Sequence, residues 1–202
     1  MIRRVKNAEA LIVFAKRPEK GHVKTRVAHK VGEEKALSIY NELLSILRST
    51  LREVDMDIYL YADQHPIFDE DRPPFHARLQ EGRNLGMKMS NAFLDLLPHY
   101  KKVVIIGADC PYLDAKMIDE AFKQLDQTTL TIGPSKDGGY YLLGMKKMHQ
   151  FLFEDIEWST SKVLQTTLNK AIEEGLNVSL LDTLEDIDTF EAWERYKSHN
   201  NV

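Results

Sequence analysis

Apolar runs and helix-like patterns alternate along almost the whole chain, and each of them predicts one element. Ala10–Ala15 has the continuous apolar character of a buried strand, whereas Glu33–Val54 repeats apolar residues every three or four positions and predicts a helix. Asp57–Ala62 predicts a second strand and His76–Gln80 a short third one. Prolines within Asp63–Phe75 indicate a loop between these two strands.

The second half of the chain continues this alternation and contains one hairpin signal. Asn84 and Asp114 each precede a helical pattern, in the position of an N-cap. Lys136-Asp137-Gly138-Gly139 separates two apolar runs and is typical of a hairpin turn. The remaining predicted elements are strands at Val103–Ile106, Thr128–Ile132, Tyr140–Leu143 and Val178–Leu181, a helix that opens at Trp158-Ser159-Thr160 and ends before Gly175, and a helix at Thr189–Lys197. Because no linker or repeat interrupts this order, we predict one α/β domain over residues 1–202 with a mostly parallel sheet.

Composition narrows the class of protein. A net charge of −4 argues against a general nucleic-acid-binding protein, which normally carries a basic face. The single Cys110 excludes an internal disulfide framework, and a lone cysteine is more often a small buried apolar residue than a nucleophile. No segment has the ~20 apolar residues of a membrane span, and no signal-peptide pattern is recognised. We therefore expect a cytoplasmic enzyme-sized domain, and the sequence leaves its oligomeric state open.

A basic loop follows the first strand. In an α/β sheet, ligands bind outside the carboxyl ends of the strands. Lys24-Thr25-Arg26 also stands where a helix can begin, so its backbone N–H groups would favour an anion. A solvated connector is the alternative, but the placement favours an anionic ligand, most simply a phosphate chain. The basic residues of the loop are Lys16, Arg17, Lys20, Lys24 and Arg26.

The loop matches neither of two familiar nucleotide-binding patterns. Val23 stands where a P-loop needs glycine, and Gly21 alone does not make a dinucleotide fingerprint. A zinc site is not indicated either, because three histidines of the first half show no ligand spacing; they are His22, His29 and His65.

Two aspartates are candidate metal ligands. Asp109, in Gly-Ala-Asp-Cys-Pro, follows the Val103–Ile106 strand, and Mg²⁺ prefers one or two protein carboxylates together with substrate phosphate oxygens. The alternative is that Asp109 caps the next turn. The basic loop favours the metal-ligand hypothesis, because a phosphate bound there would bring the cation. Asp188 is either a second ligand or the N-cap of the last helix, where Glu191 would complete a capping box.

Two further motifs have structural explanations beside functional ones. Asp137-Gly138-Gly139-Tyr140-Tyr141 is sufficiently explained as a hairpin turn, although glycines allow close backbone approach and tyrosines stack on rings. Trp158 is either an apolar residue before a helix cap or a substrate contact. Gly138, Gly139 and Trp158 are therefore the candidates for contact with substrate.

Taken together, five ordered strings resemble one known family. They are Phe-Ala-Lys-Arg-Pro…Gly-His-Val-Lys-Thr-Arg, Gly-Ala-Asp-Cys-Pro, Asp-Gly-Gly-Tyr-Tyr, Trp-Ser-Thr and Asp-Ile-Asp-Thr. From about Ala10 to Trp193 the chain resembles the bacterial DUF2064 family, which is glycosyltransferase-like and belongs to the nucleotide-diphospho-sugar transferase superfamily of GT-A fold. The resemblance implies a Rossmann-like three-layer α/β/α sandwich with a mixed, mostly parallel sheet.

The resemblance also implies roles for individual residues. Asp109 falls where the superfamily keeps a metal-binding aspartate, and Asp188 matches the aspartate of an Asp-Thr motif that supplies a second metal ligand in sugar-acid cytidylyltransferases. Lys24-Thr25-Arg26 resembles a Lys-Ser/Thr-Arg loop of phospholactate guanylyltransferases. The chain departs from the sugar nucleotidyltransferases in one respect, because the basic loop replaces their glycine-rich loop after the first strand.

Two reactions follow as hypotheses, both with Mg²⁺ or Mn²⁺ on Asp109 and Asp188. In the first and slightly favoured one, a small-molecule acceptor attacks a nucleotide sugar, and Asp137 serves as base or sugar contact. In the second, a phosphorylated acceptor attacks a nucleoside triphosphate whose phosphates are bound by Lys16, Lys24 and Arg26. A non-catalytic nucleotide-binding protein is a third interpretation.

Overall fold

The computed structural model describes residues 8–64, 67–68 and 75–200. The predicted loop Asp63–Phe75 and His65 therefore lie largely outside the described residues. The strands are β1 Glu9–Ala15, β2 Asp57–Ala62, β3 His76–Leu79, β4 Lys102–Gly107, β5 Leu130–Pro134, β6 Tyr140–Met145 and β7 Val178–Leu180. The helices are α1 Thr25–Val31, α2 Glu33–Leu51, α3 Leu85–Leu96, α4 Ala115–Gln127, α5 Val163–Glu173 and α6 Phe190–Asn200, with a 3₁₀ turn at Gln150–Phe153.

One mixed sheet organises these elements, in the order β3-β2-β1-β4-β6-β5-β7. Only β6 runs antiparallel to its neighbours β4 and β5 among the strands of the described ranges. The α/β class and the mostly parallel sheet predicted from the sequence are confirmed. The chain moves from β1 outward through β2 and β3 and then returns to β4 on the other side of β1, so the sheet has its switch point between β1 and β4.

Helices cover both faces of the sheet because β1 and β4 are apolar on both sides. On one face, Leu11 and Val13 pack with residues of α2 and α4. On the other face, Ala10 and Ile12 pack with residues of α3, α5 and the 3₁₀ turn. A smaller cluster joins α1 and α6 to α2. The result is the three-layer sandwich that the resemblance implies.

Local signals fix several boundaries where the sequence predicts them. The Asn84 side chain accepts a hydrogen bond from Met87 N at 2.8 Å, and Asp114 accepts one from Met117 N at 2.8 Å, so both are N-caps. The predicted hairpin is β5–β6, with a register shift between Gly133 and Pro134.

Other boundaries differ from the predictions. Residues 25–31 form the separate helix α1, and α2 ends at Leu51, three residues before the predicted end. The helix α5 begins at Val163, so Trp158-Ser159-Thr160 precedes the helix by several residues and does not open it. The 3₁₀ turn was not predicted, because four residues are too few for a periodic signal. In the part of the chain that the structure describes, no helix is long and apolar enough to cross a membrane.

Candidate active site

Four segments meet at the carboxyl edge of the sheet. Because β1 and β4 are parallel and Phe14 lies opposite Gly107, the residues that follow these two strands begin side by side. The turn between β5 and β6 lies at the same edge, since β5 runs parallel to β1 and ends there. The segment after β7 continues along β5 to a bridge between Ser135 and Leu184. The switch point and the candidate residues therefore coincide.

The basic loop begins at a fixed backbone position. The buried Tyr40 hydroxyl accepts a hydrogen bond from Lys16 N at 2.9 Å and donates one to Lys16 O at 3.0 Å. Arg17 N donates to Asp63 Oδ1 at 2.8 Å. Burial raises the pKa of Tyr40, and the nearby Asp109 charge raises it further, so this phenol stays protonated and available as a donor. These contacts hold the start of the loop at the sheet edge and leave the Lys16 side chain exposed.

Lys24 is the centre of the site. Its ammonium lies 2.6 Å from Asp109 Oδ1, 3.6 Å from Asp188 Oδ1 and 2.6 Å from the carbonyl oxygen of Ile187. Only 5% of this side chain is exposed, although it carries a charge. The backbone of Lys24 is left-handed, with φ 47° and ψ 46°, a conformation that costs a non-glycine residue about 1–2 kcal/mol. The contacts of the ammonium offset that cost.

Arg26 and Thr25 follow Lys24 along the chain at the same site. Arg26 Nη1 lies 3.4 Å from Asp188 Oδ2, and the Arg26 side chain is 66% exposed. Thr25 is the first residue of α1 and is exposed. The structure therefore brings Lys24 and Arg26 onto the same carboxylate and places Thr25 between them along the chain. The phosphate-binding role assigned to these residues and to Lys16 stays a prediction.

Asp188 is not the N-cap of the last helix. That position belongs to Thr189, whose hydroxyl accepts a hydrogen bond from Ala192 N at 3.2 Å. The capping-box interpretation of Asp188 is therefore wrong by one residue. Asp188 instead faces Lys24 and Arg26, and Ile187 N donates to the Asp109 carbonyl at 2.9 Å, which joins the two aspartate segments. This geometry leaves the metal-ligand hypothesis for Asp188 in place.

Asp186 was missed as a site residue. Its carboxylate accepts a hydrogen bond from Ser135 Oγ at 2.8 Å. Burial raises the pKa of Asp186 to about 7, while Ser135 lowers it and the charges of three neighbouring aspartates add to the rise. Residues two apart in an extended segment face the same side. If the Asp-Ile-Asp-Thr motif is taken as extended, this two-residue repeat places Asp186 on the same side as Asp188.

The raised pKa of Asp186 predicts an unusual pH dependence of stability. The folded protein keeps a proton on Asp186 between its ordinary pKa of 3.8 and about 7, whereas the unfolded chain releases it. This contribution to the free energy of unfolding is therefore fully present below about pH 4 and is lost as the pH rises to about 7. At about 1.4 kcal/mol per unit of pKa shift, Asp186 contributes up to about 4 kcal/mol to the free energy of unfolding at acid pH. Urea unfolding of wild type and Asp186→Asn across this range, in a chelator, measures it.

Asp182→Asn is the matched control, because Asp182 is exposed on the same segment. We expect its curve to run parallel to the wild-type curve, whereas Asp186→Asn removes the difference between acid and neutral pH. Parallel curves for wild type and Asp186→Asn would contradict the prediction.

The turn that contains Asp137 has a structural role and also lies close to the site. Asp137 Oδ1 accepts a hydrogen bond from Gly139 N at 2.9 Å, as expected for a hairpin turn. Gly138 N donates to Ser135 O at 3.0 Å, and Gly138 O accepts from Leu164 N at 2.9 Å. The backbone of both glycines is thus engaged within the protein, which supports the structural explanation. The Asp137 carboxylate is exposed and is one of the charges that act on Asp186, so it lies close to the site.

Trp158 packs against the start of α3. A Cβ atom at Gly86 would lie 2.4 Å from Trp158 Nε1, so only glycine allows the indole to lie this close. The side chain also contacts the core on the α3 and α5 face of the sheet. Packing thus explains Trp158, and its role as a substrate contact stays a prediction.

Cys110 follows Asp109 but is not a nucleophile at neutral pH. Burial raises the pKa of its thiol to about 12, and the nearby Asp186 charge raises it further. A thiol with this pKa is almost fully protonated near pH 7.

The two metal-ligand candidates fit a cation that arrives together with a phosphate. Asp109 and Asp188 converge on one point, the Lys24 ammonium. Over the described ranges, no group of three or more His, Cys, Asp and Glu side chains is arranged to hold a metal ion. Mg²⁺ commonly takes one or two protein carboxylates and fills its remaining positions with water and substrate phosphate oxygens. The donor set suits that mode rather than a cage made of protein alone.

Comparison with known proteins identifies the family. The profile described as "Uncharacterized protein conserved in bacteria (DUF2064)" matches residues 46–160. The chain belongs to the DUF2064 family. The predicted membership of this family is thereby confirmed, and the matched stretch contains three of the five motifs: Gly-Ala-Asp-Cys-Pro, Asp-Gly-Gly-Tyr-Tyr and Trp-Ser-Thr. Of the site residues, Asp109 and Asp137 lie inside the matched stretch, whereas Lys24 and Asp188 lie outside it.

Individual relatives refine this result. A crystal structure from Desulfovibrio desulfuricans G20, provisionally named a nucleotide-diphospho-sugar transferase, matches this DUF2064 chain with a TM-score of 0.88 and 28% identity, over 96% of this chain and 88% of that one. The 2-phospho-L-lactate guanylyltransferase of Methanocaldococcus jannaschii is 30% identical over 128 residues, 61% of this chain and 54% of that protein. The chain therefore spans about half the length of this curated relative.

A more distant neighbour shows the fold alone. Rv0371c of Mycobacterium tuberculosis H37Rv, solved as a complex with manganese, has a TM-score of 0.55 at 10% identity and covers 93% of this chain and 96% of that one. The match to the D. desulfuricans structure shows that this DUF2064 chain shares the fold of a protein provisionally named a nucleotide-diphospho-sugar transferase.

Proposed function

We propose that this DUF2064 chain is a nucleotidyltransferase that transfers a nucleoside monophosphate from a nucleoside triphosphate to a phosphorylated small-molecule acceptor. The observation that carries this proposal is the cluster of Lys24 and Arg26 on Asp188 at the switch point of the sheet, on the loop that also carries the exposed Lys16. The name of the M. jannaschii relative supports the same reaction class. The order of the two hypotheses is therefore reversed, and glycosyl transfer becomes the second candidate.

The charge of the loop suits a triphosphate. Lys16 and Arg26 are exposed, whereas Lys24 is buried among carboxylates, so three cations from one loop border the same edge of the sheet. A nucleoside triphosphate carries more negative charge than a nucleotide sugar and offers more oxygens to cationic donors. The α1 helix begins directly after Lys24, and its first N–H groups add favourable dipoles.

The chemistry assigned to the chain is positioning and charge stabilisation. An acceptor phosphate oxygen attacks the α-phosphorus, a new P–O bond forms, the bond between the α-phosphorus and the bridging oxygen breaks, and pyrophosphate leaves. Lys16, Lys24 and Arg26 bind the β- and γ-phosphates and stabilise the charge that develops on the leaving group. Asp109 and Asp188 would hold a Mg²⁺ or Mn²⁺ ion. When bound, this ion supplies charge neutralisation at the phosphates.

Asp137 is assigned to the acceptor side of the reaction. Its carboxylate is exposed, lies close to Asp186 and is held by its own turn. A carboxylate is suited to orient a hydroxyl or an amide of the acceptor rather than its phosphate, because like charges repel. Gly138, in the same turn, packs closely against the backbone of Ser161. We assign Gly138, Gly139 and Trp158 to contact with substrate on this side.

Glycosyl transfer remains the second candidate because of the name of the D. desulfuricans structure, which matches nearly the whole chain. In that reaction the acceptor attacks the anomeric carbon of a nucleotide sugar and the nucleoside diphosphate leaves. The two reactions release different products, so they are directly separable.

The test combines ligand screening with product analysis. Thermal unfolding is followed with each common nucleoside triphosphate and nucleotide sugar, with Mg²⁺, with Mn²⁺ and with chelator. A ligand at about 100 times its dissociation constant stabilises the fold by about 2.7 kcal/mol. That free energy corresponds to a rise of roughly 5–11 °C for a chain of this size. We expect one triphosphate with a divalent cation to give the largest rise.

Product analysis then decides the reaction. The stabilising triphosphate is incubated with a panel of phosphorylated hydroxy acids and sugar phosphates, and pyrophosphate release is measured. Pyrophosphate that depends on an acceptor supports the proposal. Release of a nucleoside diphosphate from a nucleotide sugar establishes glycosyl transfer instead, and binding without any turnover supports the non-catalytic interpretation.

A further inference from the structure

One buried ammonium neutralises both candidate metal ligands. Lys24 Nζ lies 2.6 Å from Asp109 Oδ1 and 3.6 Å from Asp188 Oδ1, with 5% of its side chain exposed. Two carboxylates that converge on one point repel each other unless a cation lies between them. The lysine thus stands at the position that the donor set would offer to a divalent cation.

We propose that Lys24 is a displaceable counter-ion, which competes with the divalent cation for Asp109 and Asp188 and binds the phosphate chain once it is displaced. The inference rests on the proposed function only for the nature of the anion. Cation and triphosphate would then bind cooperatively, because the cation releases the ammonium that the triphosphate needs. The lysine would also keep the carboxylates paired whenever substrate is absent.

The position of Lys24 allows this exchange. Its backbone is anchored as the N-cap of α1, since Ala28 N donates to Lys24 O at 2.9 Å, but its side chain makes no cap hydrogen bond. Lysine carries a compact charge on four rotatable carbons, so the ammonium can change partners while the backbone stays fixed. The neighbouring residues Thr25 and Arg26 are exposed, so solvent and ligand reach the mouth of the site.

Lys24 has a third partner beside the two carboxylates. Its ammonium donates to Ile187 O at 2.6 Å. A glutamine at this position retains an N–H donor for that carbonyl while it removes the charge. Lys24→Gln therefore tests the charge rather than the hydrogen bond.

The first measurement is a manganese titration without nucleotide, followed by electron paramagnetic resonance of free Mn²⁺. Lys24→Gln is expected to bind Mn²⁺ about tenfold more tightly than wild type, within the usual range of coupling between two binding events. Arg26→Gln is expected to show a smaller increase, because its guanidinium is exposed and contacts Asp188 alone of the two aspartates. Lys20→Gln is the control, because it removes the same charge from an exposed lysine that pairs with Glu34. Solvent screens this charge, so we expect the affinity for Mn²⁺ to change less than about twofold.

The second measurement uses the wild-type protein. Amine labelling followed by mass spectrometry reports the accessibility of each lysine. The Lys24 amine is expected to react slowly alone, several-fold faster with Mn²⁺, and slowly again with Mn²⁺ and inorganic tripolyphosphate. The exposed Lys20 provides the internal reference.

Equal or weaker Mn²⁺ binding by Lys24→Gln overturns the proposal, and so does labelling of Lys24 that Mn²⁺ leaves unchanged. The labelling result stands even if the variant fails to fold. The two measurements also separate a failure of the counter-ion proposal from a failure of the proposed function. Pyrophosphate release by wild type with no Mn²⁺ effect on Lys24 refutes only this inference, whereas the Mn²⁺ effect without turnover of any triphosphate refutes only the proposed reaction.

Discussion

Asp109→Asn is expected to lose most of the transferase activity while the protein stays folded. The asparagine oxygen still accepts a hydrogen bond from Lys24, which lies 2.6 Å from Asp109 Oδ1, so the local structure has little reason to change. The variant loses the negative charge that would hold a divalent cation at the phosphates. If about 3 kcal/mol of transition-state stabilisation is lost, kcat falls about 10²-fold. Steady-state release of pyrophosphate measures the loss.

Asp119→Asn is the control for Asp109→Asn, because Asp119 is exposed on α4 and lies outside the site. It is expected to retain wild-type activity. The stabilisation by triphosphate with Mg²⁺ should also decrease in Asp109→Asn and not in the control. Full activity of a folded Asp109→Asn protein would show that Asp109 has no role in the reaction.

Gly138→Ala is expected to destabilise the fold by about 3 kcal/mol, which is the second large effect. Gly138 has φ +90°, and a Cβ atom there would lie 2.1 Å from the Ser161 carbonyl oxygen, which is backbone and cannot rotate away. The left-handed conformation costs alanine about 1–2 kcal/mol, and forcing atoms into a packed site costs about 1–3 kcal/mol more. Urea unfolding at neutral pH measures the difference.

Gly175→Ala is the matched comparison. Gly175 has φ +65° but nothing within 4 Å of an added Cβ atom, so only the conformational cost of about 1–2 kcal/mol applies. Equal decreases in the free energy of unfolding in the two variants would show that the contact with Ser161 adds no destabilisation. A Gly138→Ala protein of unchanged stability but without activity would instead support the substrate contact predicted for Gly138.

The fold was largely predictable because its signals are local. β1 and β4 are continuous apolar runs, and Asn84 and Asp114 are capping residues whose side chains act on the next few amides. The sequence indicated that a helix can begin at Lys24-Thr25-Arg26, but the separation of α1 from α2 was not predicted, because seven residues span only about two turns and α1 buries only Val27. The hairpin signal predicts that β6 runs antiparallel to β5, but the pairing of β6 with β4 depends on contacts between distant strands, which no local pattern contains.

The site was only partly predictable, since its chemistry depends on distance in space. The sequence identified Asp109, Asp188 and Lys24 by their position beside strands and helices, but no spacing indicates that the ammonium lies between the carboxylates. The capping interpretation of Asp188 was wrong because Thr189, which is also a favoured N-cap residue, follows one position later and caps the helix. The burial that raises the pKa of Asp186 is a property of the packed structure and has no sequence signature.

The segments that meet at Lys24 come from opposite ends of the described chain. The bond from Lys24 Nζ to Ile187 O joins residues 163 positions apart, and α1 and α6 pack on the same face of α2. Closing so long a loop costs conformational entropy, and contacts of this kind slow folding. A ribosome-bound chain that already carries β1 to β6 therefore lacks one of its two carboxylates. The proposed site is therefore incomplete until residue 188 has been synthesised and has reached Lys24.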